Sequence, residues 1–185
     1  MKKTVFLALF VILILLFAAC GGAQAESADT KPAAPEKVGT FGAFETTDLQ
    51  GNKVTQSIFA GHKITMINIW GTFCNPCIRE MPELAKLNNE YEGLQVVGIV
   101  IDSTETSGKV ITEKYNNAIG IIKTTGATYT HLFPSASLTQ CCLKDVTSIP
   151  VTIFVNENGD IIGESYVGAR NYQQWKEIID NLPLG

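Results

Sequence analysis

An α/β domain is the fold class this sequence predicts, and three observations carry that expectation. The apolar run Ile64-Thr65-Met66-Ile67-Asn68-Ile69-Trp70 is followed by a helix-like stretch and then by a second apolar run at residues 94–101. A strand, helix, strand order of this length asks for a right-handed parallel crossover. Toward the C-terminus, Val151-Thr152-Ile153-Phe154-Val155 and residues 160–166 flank Asn156-Glu157-Asn158-Gly159, which is β-hairpin spacing.

The remaining elements follow in order. Residues 41–49 and Lys53-Val54-Thr55 flank the turn signal Gln50-Gly51-Asn52, so a small N-terminal hairpin is expected. Residues 64–70 are rich in Ile and read as a buried strand. Residues 75–92 read as a helix, because Met81, Leu84, Leu87 and Tyr91 recur at spacings of three and four. Pro82 falls inside it and is expected to kink it, since its ring removes a backbone donor and crowds the preceding turn. Residues 112–123 read as a second helix, Thr130-His131-Leu132-Phe133 as a short extended piece, and residues 135–144 as a helical turn or two. Residues 172–182 close the chain as a helix with Trp175, Ile178, Ile179 and Leu182 on one face.

The leader decides the compartment. Met1-Lys2-Lys3 is a positive start, residues 5–17 are almost unbroken apolar side chains, and Ala18-Ala19 supplies the small residues of a cleavage point. This is the pattern of a secretory signal peptide over residues 1–19. Phe17-Ala18-Ala19-Cys20, followed by Gly21-Gly22, also resembles the bacterial lipobox, in which the cysteine is acylated and becomes the first residue of the mature chain. It departs from that pattern at Phe17, where Leu is commoner. The alternative is an uncleaved single-span anchor, although residues 4–19 fall short of the roughly 18 residues of a spanning candidate. Either reading puts the rest of the chain outside the cytoplasm beside a membrane. Residues 20–38, beginning at lipidated Cys20, have no apolar periodicity and read as a flexible tether, leaving residues 39–185 for the domain.

The net charge of the 185-residue chain is −4, and it becomes more negative once Lys2 and Lys3 leave with the leader. No basic stripe is offered to a phosphate backbone, which excludes nucleic acid as a partner. Of five cysteines, Cys20 is taken by the lipid. That leaves Cys74, Cys77, Cys141 and Cys142 in a compartment that permits disulfides.

Cys74-Asn75-Pro76-Cys77 sits where a strand ends and a helix begins. One sulfur then lies at the positive end of a helix dipole, where the thiolate is stabilised. That is the geometry of a redox dithiol, though the same four residues elsewhere would mean zinc or a cross-link. A zinc site from all four remaining cysteines is disfavoured, because adjacent Cys141 and Cys142 lack the two-to-four-residue spacing that brings both sulfurs to one ion. On a helix their side chains diverge by roughly 100°. At least one of them reads as a buried core cysteine, and one is a candidate second resolving thiol. His62 and His131 are isolated and read as surface or satisfied polar residues.

Residues 68–84, Asn-Ile-Trp-Gly-Thr-Phe-Cys-Asn-Pro-Cys-Ile-Arg-Glu-Met-Pro-Glu-Leu, together with Ser148-Ile149-Pro150-Val151-Thr152-Ile153-Phe154-Val155 and Gly159, resemble the extracytoplasmic thioredoxin-like proteins of the TlpA/ResA type. The resemblance runs from about residue 38 to the C-terminus. It implies a thioredoxin fold: a central mixed sheet with helices on both faces, an N-terminal hairpin, and an inserted strand-helix unit. It also implies a role for each matched position. Cys74, at the helix start, is the exposed nucleophile that attacks a partner disulfide, and Cys77, one turn further in, resolves the mixed disulfide. Asn75 and Pro76 tune the reduction potential, Pro76 being tolerated where its missing N–H would be unpaired anyway. Pro150 matches the family's cis-proline, which brings the backbone of Ile149 beside the Cys74 sulfur and offers it to an extended substrate. Trp70 packs near the dithiol and shields it, Phe73 stands where the family usually has Trp or Tyr, and the resemblance implies that these two, with Ile149 and Pro150, form the substrate-binding contact surface.

Asn68 occupies the place of the buried Asp of cytoplasmic thioredoxins, so Asp102 becomes the candidate proton acceptor, weighed against an ordinary solvated loop carboxylate. The expected activity is therefore membrane-tethered thiol-disulfide exchange carried by the Cys74–Cys77 disulfide, with no metal and no other cofactor. The resemblance implies electrons from a membrane thiol carrier of the CcdA/DsbD type and targets such as apocytochrome c. Two alternatives stay open. A thiol peroxidase of the redoxin group would need a Pro-x-x-x-Thr-x-x-Cys frame, but Ile67 and Gly71 occupy those positions. A non-catalytic binding lipoprotein would use the disulfide only as a cross-link.

Overall fold

The computed structural model describes residues 37–182. The leader, Cys20 and most of the tether lie outside the described residues. The first strand, β1 (Lys37–Thr40), begins inside the segment expected to be tether and pairs antiparallel with β8 (Asp160–Val167). Residues 37 and 38, expected to be tether, are thus already paired into the sheet, because backbone pairing needs no apolar side chain to recruit a strand.

Beside β1 and β8, the strands β4 (Ile64–Trp70), β5 (Leu94–Val100), β6 (Thr130–Leu132) and β7 (Val151–Asn156) form a six-stranded main sheet in the order β1-β8-β7-β4-β5-β6, with β4 and β5 parallel and β4 and β7 antiparallel. The sheet is thus mixed, as the thioredoxin fold requires. Between β4 and β5 runs α1 (Asn75–Glu90), and it continues through Pro82. Between β5 and β6 runs α2 (Thr112–Thr125), stopped at Gly126, whose φ of 72° is the left-handed conformation that closes a helix. A short helix α3 (Ala136–Leu138) continues into a π turn at Thr139–Leu143. The closing helix α4 (Tyr172–Asp180) starts with a capping box between Asn171 and Gln174.

All seven residues of β4 are buried, so both faces of the central strand are covered and alternation divides the core in two. On one face Met66, Trp70, Val96, Val100 and Phe154 meet Met81, Leu84 and Leu87 of α1 and Trp175 and Ile179 of α4. On the other, Ile67, Ile69, Val97, Ile99, Ile153 and Val155 meet Phe41, Phe44, Phe59 and Leu138. The three phenylalanines pack ring to ring with centroids 5.4 to 5.9 Å apart, so an aromatic cluster covers much of this second face. The expected N-terminal hairpin is present as β2 (Glu45–Thr47) and β3 (Lys53–Thr55). Leu49 N–H donates to the His131 carbonyl and Phe133 N–H to the Thr47 carbonyl, which covers the otherwise open edge of β6.

One row across the sheet breaks the apolar pattern. Thr152, Asn68, Gly98 and His131 lie side by side on β7, β4, β5 and β6. Gly98 is required there, because a Cβ would come 2.2 Å from His131 Nδ1 and 3.1 Å from Trp70 Nε1. His131 accepts from Trp70 Nε1 at 3.2 Å and bonds the Ala127 carbonyl through Nε2 at 2.9 Å. Burial pushes its pKa down to about 4, so it stays neutral, with the proton on Nε2. Gly98→Ala is therefore expected to lower stability by about 1–3 kcal/mol through overpacking, read as a lower urea midpoint at an unchanged slope.

Candidate active site

The dithiol is built by the junction of β4 and α1. Cys74 is the N-cap of α1 and its sulfur accepts from Cys77 N–H at 3.3 Å, satisfying one of the amides left free at a helix start. Pro76 lies in the first turn, where no donor is needed. Cys74 and Cys77 are joined by a disulfide with an S–S distance of 2.04 Å. In this state Cys74 keeps 6% of its surface exposed and Cys77 none. The first cysteine is thus far less open than the expected exposed nucleophile, because Cys74 belongs to the core face that holds Trp70 and Met81.

The Ile149–Pro150 peptide bond is cis, and the Ile149 carbonyl oxygen lies 3.7 Å from Cys74 Sγ. Phe73, directly before Cys74, is 65% exposed. Its ring edge and the Ile149 side chain both close on Gly71, where a Cβ would stand 2.9 Å from Phe73 Cε1 and 3.2 Å from Ile149 Cδ1. Phe73, Ile149 and Cys74 therefore share one surface beside the disulfide. Trp70 does not belong to it. Its side chain is fully buried beneath the dithiol and tied to His131, so it supports the site from inside and is removed from the expected contact surface.

The acid expected near the dithiol is differently placed. Asp102 is partly buried, and its carboxylate is engaged by Thr72 and Lys114, so it is not a solvated loop acid. The buried carboxyl is Glu80, one turn beyond Cys77 on α1 and only 2% exposed. Glu80 Oε1 accepts from Trp175 Nε1 and from Arg170 N–H, both at 2.8 Å, and Oε2 accepts from Asn68 Nδ2 at 3.3 Å. Burial raises its pKa, and the bonds from Arg170, Trp175 and Asn68 counteract only part of that rise. Asn68 also donates to Thr152 Oγ1 at 3.2 Å. Its own Oδ1, and the hydroxyl of Tyr129, are buried without a hydrogen-bond partner among the described residues. A signal for Glu80 existed in the sequence. Cys77, Glu80, Leu84 and Leu87 recur at spacings of three and four, which sets an acid on the buried stripe of the helix.

Cys141 and Cys142 are free thiols on the π turn, packed against the core face opposite the dithiol. Cys141 Sγ donates to the Ala43 carbonyl at 3.5 Å and Cys142 Sγ to the Leu138 carbonyl at 3.4 Å. Burial raises both pKa values, that of Cys142 to about 12, so neither is an activated nucleophile. The sheet between them and Cys77 removes the second-resolving-thiol reading.

With this geometry in place, comparison with known proteins gives a consistent assignment. Residues 39–163 match the model of the AhpC/TSA family. The thiol-disulfide oxidoreductase ResA of Bacillus thuringiensis subsp. konkukian is 26% identical over 184 residues, covering 98% of this chain and 99% of that protein. The thioredoxin-like protein YneN of Bacillus subtilis is 29% identical over 140 residues, covering 74% of this chain and 75% of its own. Among solved structures, a thiol:disulfide interchange protein of the thioredoxin family from Chlorobium tepidum TLS is 21% identical, covers 85% of this chain and 100% of that chain, and superposes with a TM-score of 0.62. StoA from Bacillus subtilis is 19% identical, covers 74% of this chain and 95% of its own, and superposes at 0.56, a likeness of fold. The chain belongs to the AhpC/TSA family, as a thioredoxin-fold thiol-disulfide oxidoreductase of the TlpA/ResA type.

Proposed function

We propose that this oxidoreductase is tethered to the outer face of the bacterial cell membrane through lipidated Cys20 and reduces protein disulfides there, with the Cys74–Cys77 pair as its redox group. The observation that carries the reading is the Cys74–Cys77 pair at the N-terminus of α1, facing the Ile149 carbonyl beside the exposed ring of Phe73. An apolar ring and an edge of extended backbone suit an unfolded or extended polypeptide better than a small molecule. Apocytochrome c, with its haem-binding cysteines, is a fitting target. A membrane thiol carrier of the CcdA/DsbD type would return the electrons.

In the reducing direction, the Cys74 thiolate attacks one sulfur of the partner disulfide and releases the other as a thiolate. The Cys77 thiolate then attacks Cys74, which forms the Cys74–Cys77 disulfide and frees the second partner sulfur. Two electrons pass from the dithiol to the partner. Cys77 is fully buried, so its proton needs an acceptor inside the protein, and Glu80 lies one turn away on the same helix. A carboxyl whose pKa is raised by burial can take that proton and return it.

Insulin reduction by residues 37–185 is expected with wild type and lost with Cys74→Ser. Rapid peroxide consumption without insulin reduction would overturn the exchange reading. A disulfide potential below about −300 mV with a large loss of stability on reduction would instead make the bond structural. The direction of electron flow is read from the in-cell redox state of the pair, trapped by alkylation; a pair found mainly as disulfide would count against a reductant. Glu80→Gln is expected to slow exchange by roughly a hundredfold. Because the folded-state pKa of Glu80 is raised, its contribution to stability is complete below the unfolded carboxyl range and is lost as pH rises through the folded value. The urea midpoint of Glu80→Gln should therefore gain on wild type as pH rises above the ordinary Glu pKa of about 4.3, and a difference that stays constant with pH would refute the assignment.

A further inference from the structure

We propose that Asp102 is a positioning residue for Cys74, a clamp on the loop that presents the nucleophile, and that it does not act as the proton acceptor of the dithiol. The proposal rests on the reading of Cys74 as the attacking sulfur. Asp102 stands just beyond the end of β5, and residues 71–73 join β4 to α1. Two donors of one residue meet its carboxylate: Thr72 N–H reaches Oδ1 at 2.9 Å and Thr72 Oγ1 reaches Oδ2 at 2.5 Å. Lys114 Nζ on α2 lies 3.6 Å from Oδ2, and the Asp102 side chain is 14% exposed. Both carboxylate oxygens are thus occupied by groups that hold the loop.

Thr72 is a sensitive point to hold. Cys74 N–H donates to the Gly71 carbonyl at 3.0 Å, so residues 71–74 form one tight turn with Thr72 inside it and Cys74 at its end. Gly71 lets the turn pack this tightly, since a Cβ there would stand 2.9 Å from Phe73 Cε1 and 3.2 Å from Ile149 Cδ1, with Asp102 Oδ1 at ordinary contact distance beside them. The turn is therefore gripped by Asp102 on one side and by Ile149 on another. Fixing Thr72 fixes where the Cys74 sulfur sits relative to the amides of α1 and the Ile149 carbonyl, and displacements on the order of 1 Å at a reacting group can cost about a hundredfold in rate.

The clamp and the proton-acceptor roles are separated by Asp102→Asn and Asp102→Ala. The Asn side chain keeps both bonds, its carbonyl accepting from Thr72 N–H and its amide donating to Thr72 Oγ1, but it cannot take a proton. Alanine loses both. Two readouts are compared: the rate of insulin reduction, and the pH profile of iodoacetamide alkylation at Cys74 in the reduced protein. Asp102→Ala is expected to slow insulin reduction roughly tenfold to a hundredfold and to displace the alkylation profile, while Asp102→Asn, which keeps both bonds, stays within about threefold of wild type, a barrier change of about 0.65 kcal/mol or less. Thr72→Val, which removes only the hydroxyl donor, should fall between them and serves if the alanine variant does not fold. Equal losses in Asp102→Asn and Asp102→Ala, or an alanine variant unchanged in both readouts, would overturn the clamp. If wild type fails to reduce insulin but the alkylation profiles separate as stated, the exchange reading fails and the clamp stands.

Discussion

A carboxyl group cannot rest unpaired on the apolar face of a helix, and the way Glu80 is paired organises much of this domain. Its two oxygens collect donors from β4, from the loop after β8 and from α4, through Asn68, Arg170 and Trp175. The dithiol helix is thereby tied to the central strand and to the closing helix by directional bonds, in addition to the apolar packing of Met81, Leu84 and Leu87. Apolar contacts tolerate sliding and rotation far better than hydrogen bonds to a buried acid, because removing any one partner leaves a polar group desolvated. The rotation of α1, and with it the placement of Cys77 and Glu80 on one buried face, follows from that constraint. The same burial that makes the network specific keeps Glu80 prone to hold a proton.

Three chain segments converge on the sulfur atoms, and the sheet brings them to one end. The parallel pair β4 and β5 finish together, so the loop with Thr72 and the loop with Asp102 are neighbours. Strand β7 runs the other way beside β4 and begins where β4 ends, which delivers Ile149 and Pro150 to the same place. This is the crevice at the strand ends where open α/β sheets commonly form their sites. Below it, the row of Thr152, Asn68, Gly98 and His131 leaves a narrow polar seam in an otherwise apolar face. Gly98 accommodates the His131 ring, and His131 holds Trp70 under the disulfide.

Local pattern made the fold legible almost element by element. The Ile-rich run at residues 64–70 is β4 to the residue, the turn Gln50-Gly51-Asn52 joins β2 to β3, and Asn156-Glu157-Asn158-Gly159 joins β7 to β8. Periodicity decides such elements because each depends on a face repeating within one segment. Where the ends depend on partners, the sequence is less exact. Strand β1 starts at Lys37 because β8 offers it an edge, and residues 139–143 wind as a π turn among the packed side chains of the second core face.

For the site, the sequence by itself determined the chemistry. Cys74-Asn75-Pro76-Cys77 at a strand-to-helix junction names a dithiol, and Ser148-Ile149-Pro150 names the segment beside it, because both signals are contiguous in the chain. Tertiary structure decided which other groups attend the sulfurs. Burial turned Glu80 from one of several acids on a helix into the carboxyl nearest the resolving cysteine in the helical repeat, and hydrogen bonding to Thr72 turned Asp102 from a candidate base into part of the loop's support. Trp70 was withdrawn from the substrate-contacting residues into the core, and the sheet separated Cys141 and Cys142 from Cys77. The physical reason is common to all of these. Desolvation and hydrogen bonding set the role of a polar side chain, and both depend on neighbours that are dozens of residues away in sequence.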